Sequence, residues 1–216
     1  MERIELIKKV ALKMDEISSS NQVVVDVLDS DNNPLYALID GLLNESINDV
    51  LTKAPIYRLH NSIVRVDIDG IDEISLLGGR KAARFLVPAN FIRIVSITDD
   101  SNFRRPIVDL AIEGDDVDKR QHNQFLVAKG AKPVAVIGRN SDGERIITCY
   151  SYNADSAPQL ECRYIQRFDG GPNDDIDLDD YMTELVSWVC AGRVFAVQGD
   201  LTRGKICDDN AAALMI

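Results

Sequence analysis

Aromatic residues make up only 6% of this 216-residue chain, and there are two histidines and four cysteines. The few aromatics do not interleave with basic residues, as the stacking platforms of single-strand nucleic-acid binders do. The cysteines, Cys149, Cys162, Cys190 and Cys207, show no metal-clip spacing such as C-x-x-C. Cys149 and Cys162 fall in apolar strand-like runs and Cys190 on a helix, so buried thiols are expected rather than disulfides. No apolar run approaches the roughly 18 residues that a membrane span needs. The opening "MERIELIKKVALKM" is charged throughout, unlike a signal peptide. A cytoplasm-like compartment of synthesis is the expectation. Excess positive charge is lacking too: the net charge is −11. A sequence-independent grip on DNA needs clustered cations to displace counterions, and the overall balance argues against one.

Hydrophobic residues at 45% and charged residues at 27% suit an ordinary globular domain. Residues 2–18 predict a helix, with Ile4, Ile7, Ala11, Met14 and Ile17 as its apolar stripe. "VVVDVLD" (23–29) is a short strand or an extended lead-in. A second helix follows "DSDNN", with Asn33 as N-cap, Pro34 in the first turn and Pro55 as the stop. Its buried face is Leu35, Leu38, Ile39, Leu42, Leu43, Ile47 and Val50. Gly41 inside it suggests close approach of another helix.

From 56 to 168 the period becomes two. "IVRVDI" and "FIRIVSITDD" alternate, and "PVAVIGRNSDGERIITCYSY" predicts a hairpin turning at "NSDG" with Gly143 at positive φ. "QLECRYIQRF" alternates Leu160, Cys162, Tyr164 and Gln166 against charged partners. Another helix covers 178–198, with Asp177 as cap, Leu178, Tyr181, Met182, Leu185, Trp188, Val189 and Phe195 on one face, and Gly192 inside. Gly199 stops it. The tail "LTRGKICDDNAAALMI" is partly helical at best, an arm able to swing out. The fold class is therefore α+β in a single structural unit, 1–216. Its N- and C-terminal helices (1–55 and 175–216) pack as a small bundle, with a central antiparallel β-rich insertion at 56–170.

Motifs for chemistry are thin. Asp29, Asp31, Asn33 and Asp40 stand at calcium-loop spacing, but Pro34 occupies the position that needs glycine, so a helix-capping turn explains them better. "NDDIDLDD" reads as a solvated helix start. "LLGGRKA" lacks the spacing and the Ser/Thr of a phosphate loop; "GGRK" is more simply a hairpin turn with a cationic edge. There is no G-x-S-x-G and no H-E-x-x-H. His60 reads as a satisfied structural histidine. His122 with Cys149 or a serine is the one nucleophile pairing to weigh, and nothing in the sequence places them together. Arg80, Lys81, Arg84, Arg104 and Arg105 are the cations available to a phosphate backbone.

Charge is unevenly spread. Residues 1–79 carry 7 basic and 14 acidic side chains, 80–133 carry 10 and 7, and 134–216 carry 7 and 14. A cationic middle between anionic flanks suits surfaces that meet between copies of one chain.

The order of segments carries a resemblance. "LYALIDGLLNESINDVLTKAP" is followed by "FLVPANFIRIVSI", "RRPIVDLAIEGDDVDKRQHNQF", "KPVAVI", "RYIQRF" and "LDDYMTELVSWVCAGRVFAV". Over residues 30 to 200 this resembles the head-to-tail adaptors of short-tailed bacteriophages, the tail tubular protein A family, nearest to the crAss-like phage version. The resemblance implies a non-enzymatic virion protein without cofactor or metal, assembled in the host bacterial cytoplasm. It implies a ring of twelve copies in the neck, with the portal protein above, the tail nozzle below and DNA passing through without specific binding. In that setting Arg104, Arg105, Arg120, Gln121, His122 and Phe125 are the expected contact residues, since Arg and aromatic side chains dominate interface energetics. An acidic channel wall keeping DNA from sticking is a further expectation. The alternatives are another virion ring or tail-completion protein, and a small cytosolic metal-dependent enzyme using His122 with the acidic cluster.

Overall fold

A computed structural model describes residues 1–17, 34–123, 125–129, 131–153, 155, 157–171 and 174–215. The "VVVDVLD" segment and the expected cap Asn33 lie outside these residues. The fold is α+β, with helices at both ends of the chain and strands between them. The chain divides into two compact units: Met1–Ser62 with Arg167–Ile216, and Ile63–Gln166.

The first unit is helical. α1 (Arg3–Ile17) and α2 (Pro34–Lys53) match the expected spans closely. α1 buries Leu6, Ile7, Val10, Ala11 and Met14, so Leu6 and Val10 join the stripe and Ile4 is only half-buried. α2 buries Ile39, Leu43, Ile47 and Val50 completely, each stabilising the unit by about 1.5–3 kcal/mol. Gly41 is exposed, and a Cβ added there would meet nothing within 4 Å. The close approach expected at Gly41 is therefore absent.

α4 (Asp180–Val197) packs against α1, α2 and a further helix, α5 (Leu201–Leu214). It buries residues around most of its circumference, including Met182, Leu185, Val186, Cys190, Ala191 and Val194. Asp179, not Asp177, is its N-cap: the carboxylate accepts from Met182 N–H at 2.7 Å. The tail is no arm but helix α5, capped by Asp200 and buried on α4 through Gly204, Cys207 and Ala211. The close helix approach falls here. A Cβ on Gly204 would sit 3.2 Å from the Gly192 carbonyl oxygen, and one on Gly192 would sit 3.2 Å from Cys207 Cβ.

α2 is also stitched to the chain that enters α4. Asn48 exchanges two 2.8 Å hydrogen bonds with the Phe168 backbone, and Asn44 donates to Gly170 O at 2.9 Å. Residues 56–62, expected as the start of the β-rich part, instead form two short 3-10 turns (Ile56–Arg58 and His60–Ser62) within the helical unit.

Among its described residues the second unit holds eight strands and one short helix: β1 (Ile63–Asp67), β2 (Asp72–Leu76), β3 (Arg80–Leu86), β4 (Phe91–Thr98), β5 (Leu110–Ile112), α3 (Asp116–Gln121), β6 (Val134–Arg139), β7 (Arg145–Asn153) and β8 (Glu161–Gln166). They form a three-stranded sheet, β1-β8-β4, and a five-stranded sheet, β2-β3-β7-β6-β5. All pairs are antiparallel except β5 with β6. That parallel pair needs a crossover, and α3 lies in it. The glycine-bearing turns fall as expected: Gly143 between β6 and β7 has φ 82°, and Gly78 and Gly79 between β2 and β3 have φ 80° and 70°.

Phe85, Phe91, Ile94, Ile97, Phe103, Ile107, Ile147, Tyr152, Cys162 and Tyr164 build one core from both sheets. The β8 alternation holds for Leu160, Cys162 and Tyr164, while Gln166 is exposed and Ile165 is also buried. Asp99, just past β4, is 1% exposed. It accepts from Ser101 N, Asn102 N, Tyr152 Oη and Gln159 N at 2.8–3.1 Å, which ties β4 to β7 and to the segment leading into β8.

Candidate interaction surface

The stretch 115–129 is built as a capped helix and a return loop. Asp115 accepts from Asp118 N–H at 2.7 Å and from Ile112 N–H at 3.1 Å. Those backbone donors, Asp118 first, hold its carboxyl below the usual range. Ile112 O accepts from Asp115 N–H at 3.1 Å, so the end of edge strand β5 is closed by its own turn. Asp118, buried, accepts from Gly114 N–H at 2.8 Å.

Gln121 faces inward. It is 4% exposed, donates to Val117 O and accepts from Ala128 N–H, both at 2.8 Å. Its amide is satisfied within the chain and ties the loop to α3, so it is not a contact residue at the surface. The N–H groups of Leu126 and Val127 both donate to Asn123 O at 3.0 Å. Arg80 donates to Ala128 O at 3.1 Å. This rigid backing holds the loop's remaining side chains outward.

Those side chains are the notable ones. Phe125 is 82% exposed and Leu126 59% exposed. Arg120 is exposed on α3. Beside them lies a mostly apolar cleft of about 420 Å³, floored by Val117, Leu126, Val127 and Val134 and rimmed by Arg120, Lys129 and Lys132. A second cleft, about 450 Å³, shares Val117 and Val134 with it and extends along Pro106, Val108 and Leu110. Arg104 and Arg105 are exposed immediately before Pro106, between buried Phe103 and Ile107. Among the described residues, Arg120, Lys129 and Lys132 have no carboxylate partner, whereas Lys119 pairs with Asp116 on its own helix.

His122 caps the C-terminal end of α3 and is exposed. Its Nε2 stands 3.5 Å from Asp118 Oδ1 and its ring meets Tyr150 edge-on at 6.3 Å. Burial, with the Asp118 carboxylate next, pushes the Tyr150 phenol up. The His122–Cys149 pairing finds no support. Cys149 is fully buried and burial pushes its thiol far up, so no thiolate is available near neutral pH. All four cysteines are free and buried, and burial raises Cys162, Cys190 and Cys207 to about 11. His60 is exposed in its 3-10 turn rather than packed as a structural histidine.

The carboxylates of the sequence motifs have structural uses. Asp40 pairs with Arg3, which also donates to Asn44 at 2.8 Å. Asp174 closes a turn onto Gly171 N–H, and Asp179 caps α4. Asp175, Asp177 and Asp180 stay exposed. Among the described residues no group of three or more His, Cys, Asp or Glu is placed to hold a metal ion. Among them, too, no helix is long and apolar enough to cross a membrane.

Sequence reasoning found Phe125 and Arg120 but missed Leu126, Lys129 and Lys132. Their signal was present: two exposed lysines three apart, directly after a run "FLVA" that has no strand period. The chain matches no model of a known protein family and no curated protein sequence.

Proposed function

We propose that the chain is a non-enzymatic ring subunit of a bacteriophage neck, joining the portal to the tail around the DNA channel. The observation that carries this reading is the partition of charge between the two units. The helical unit holds 20 acidic and 10 basic side chains, while the β unit holds 15 and 14. The β unit also presents cations without a carboxylate partner among the described residues around an apolar surface, with exposed Phe125 next in sequence to its Leu126. In a closed ring each subunit offers two different surfaces to its neighbours. The acidic surplus of the helical unit facing the local cationic rim of a neighbour's β unit orients the pairing and penalises wrong docking. The surplus acid of the helical unit disfavours counterion-release binding to DNA, which suits a channel that DNA must traverse.

The partners are other copies of the chain, the portal protein and the tail nozzle. The site of action is the virion, after assembly in the host bacterial cytoplasm. The test is to mix the purified chain with the portal of the same phage and examine the product by negative-stain electron microscopy and sedimentation. An added ring layer on the portal supports the reading. Binding to the tail nozzle alone points to a different ring of the tail, and binding to neither sinks the reading.

A further inference from the structure

We infer that the cationic cleft of the β unit receives the acidic turn 174–180 of a second copy of the chain. This rests on the ring reading above and gives it a specific contact.

The cleft is half of a complementary pair. Its floor, Val117, Leu126 and Val134, is apolar, and its rim is three cations with no carboxylate partner among the described residues. Phe125, next in sequence to Leu126 of that floor, is exposed. A large apolar side chain left in water beside unpaired cations marks a surface that is covered in use. The occupant must bring carboxylates together with some apolar surface.

The helical unit offers such a segment before α4. Residues 174–180, "DDIDLDD", hold five carboxylates in seven positions, with half-buried Leu178 among them. Ile176 is buried and its backbone N–H donates to Met1 O at 2.9 Å, so the segment is fixed at its centre. Asp174 and Asp179 are committed to local backbone donors. That leaves Asp175, Asp177 and Asp180 exposed, three carboxylates for three cations. A preorganised acidic turn loses little freedom on docking.

The four native cysteines are buried, so introduced surface cysteines report contacts without interference. Two variants with one introduced cysteine each, Leu126→Cys and Asp175→Cys, are mixed and oxidised, both free at high concentration and bound to the portal. Disulfides formed this way join different chains only. The expected result is a mixed 126–175 product about tenfold above either self-product. It should also stand above a control in which Leu77→Cys, at the exposed β2–β3 turn, replaces Leu126→Cys. Raising salt should reduce the yield, since exposed pairs are screened. K129E/K132E and D175K/D177K should each cut assembly on the portal about tenfold, and the two variants mixed should recover it.

If subunits coat the portal but 126–175 cross-linking stays at the control level, this contact is wrong and the ring reading stands. If the chain never binds the portal, the ring reading itself fails. Unchanged assembly of D175K/D177K with slowed genome ejection assigns the acids to the channel wall and overturns the contact. A disulfide forming only when both cysteines share one chain overturns it as well.

Discussion

Replacing Asp99 by Asn exchanges one carboxylate oxygen for an NH2 group and changes almost nothing in shape. Among the described residues, every group bonded to that carboxylate donates to it: Ser101 N–H and Asn102 N–H on Oδ1, Tyr152 O–H and Gln159 N–H on Oδ2, and the Asn102 side-chain amide on both. Whichever way the amide is turned, at least two hydrogen bonds vanish and donors face donors. A hydrogen bond to a charged group contributes about 1.5–3 kcal/mol, and an orphaned buried donor costs a similar amount. D99N should therefore destabilise the β unit by about 3–5 kcal/mol. Y152F removes a single donor from Oδ2 and leaves Gln159 in place, so it should cost about 1–2 kcal/mol. Urea unfolding followed by circular dichroism gives the ordering. With a urea dependence of about 1–3 kcal/mol per molar, the D99N midpoint falls by about 2 M. Native-state hydrogen exchange in β4 and β7 should lose protection in step. A D99N cost below about 0.5 kcal/mol, or one equal to that of Y152F, would refute the hub role of Asp99.

Further outcomes follow from the same contacts. R120E and F125S should leave the unfolding free energy within about 0.5 kcal/mol of the parent, since both side chains are exposed, while weakening assembly on the portal. Deleting residues after Gly199 strips the cover from α4 over Gly192 and Phe195; we expect loss of cooperative unfolding of the helical unit, whereas a free arm would be dispensable. The buried thiols Cys190 and Cys207 have folded pKa values raised to about 11, against roughly 8.5 in the unfolded chain. Their neutral form is favoured by folding, so their stabilising contribution is complete below pH about 8.5 and is lost as pH rises through about 11. C190A/C207A should flatten that alkaline slope in a pH series of thermal midpoints.

Much of the fold was legible because large apolar residues set a period. α1, α2 and α4 show stripes at three and four, and glycines at 79 and 143 supply the positive φ of two hairpin turns. The alternation expected for β4 does not hold, because two register shifts against β8 leave Phe91, Ile94 and Ile97 buried at a spacing of three, and β7 is buried on both faces over 146–152. α5 was not legible because its buried positions, Gly204, Cys207 and Ala211, are small and read as polar or neutral. Their spacing of three and four is nonetheless helical, and they pack because Gly192 offers no side chain. Gly41 and Gly192 look alike in sequence; only the partner helix distinguishes them. The parallel β5–β6 pair was hidden because β5 is three residues long. At the candidate surface Arg120 and Phe125 are singled out by residue type, and both are exposed. Gln121 was misjudged: a glutamine one turn beyond a capped helix start can turn inward and tie down its own loop, and that depends on the return of the chain at Ala128.

The central claim is that this chain works by fitting against copies of itself and against other virion components. Cryo-electron microscopy of purified phage particles carrying the protein tests it most directly. The account predicts a closed ring of this two-unit fold between portal and tail, with each β unit against its neighbour's helical unit. Finding the protein absent from particles, or present only as scattered monomers away from the neck, would contradict it.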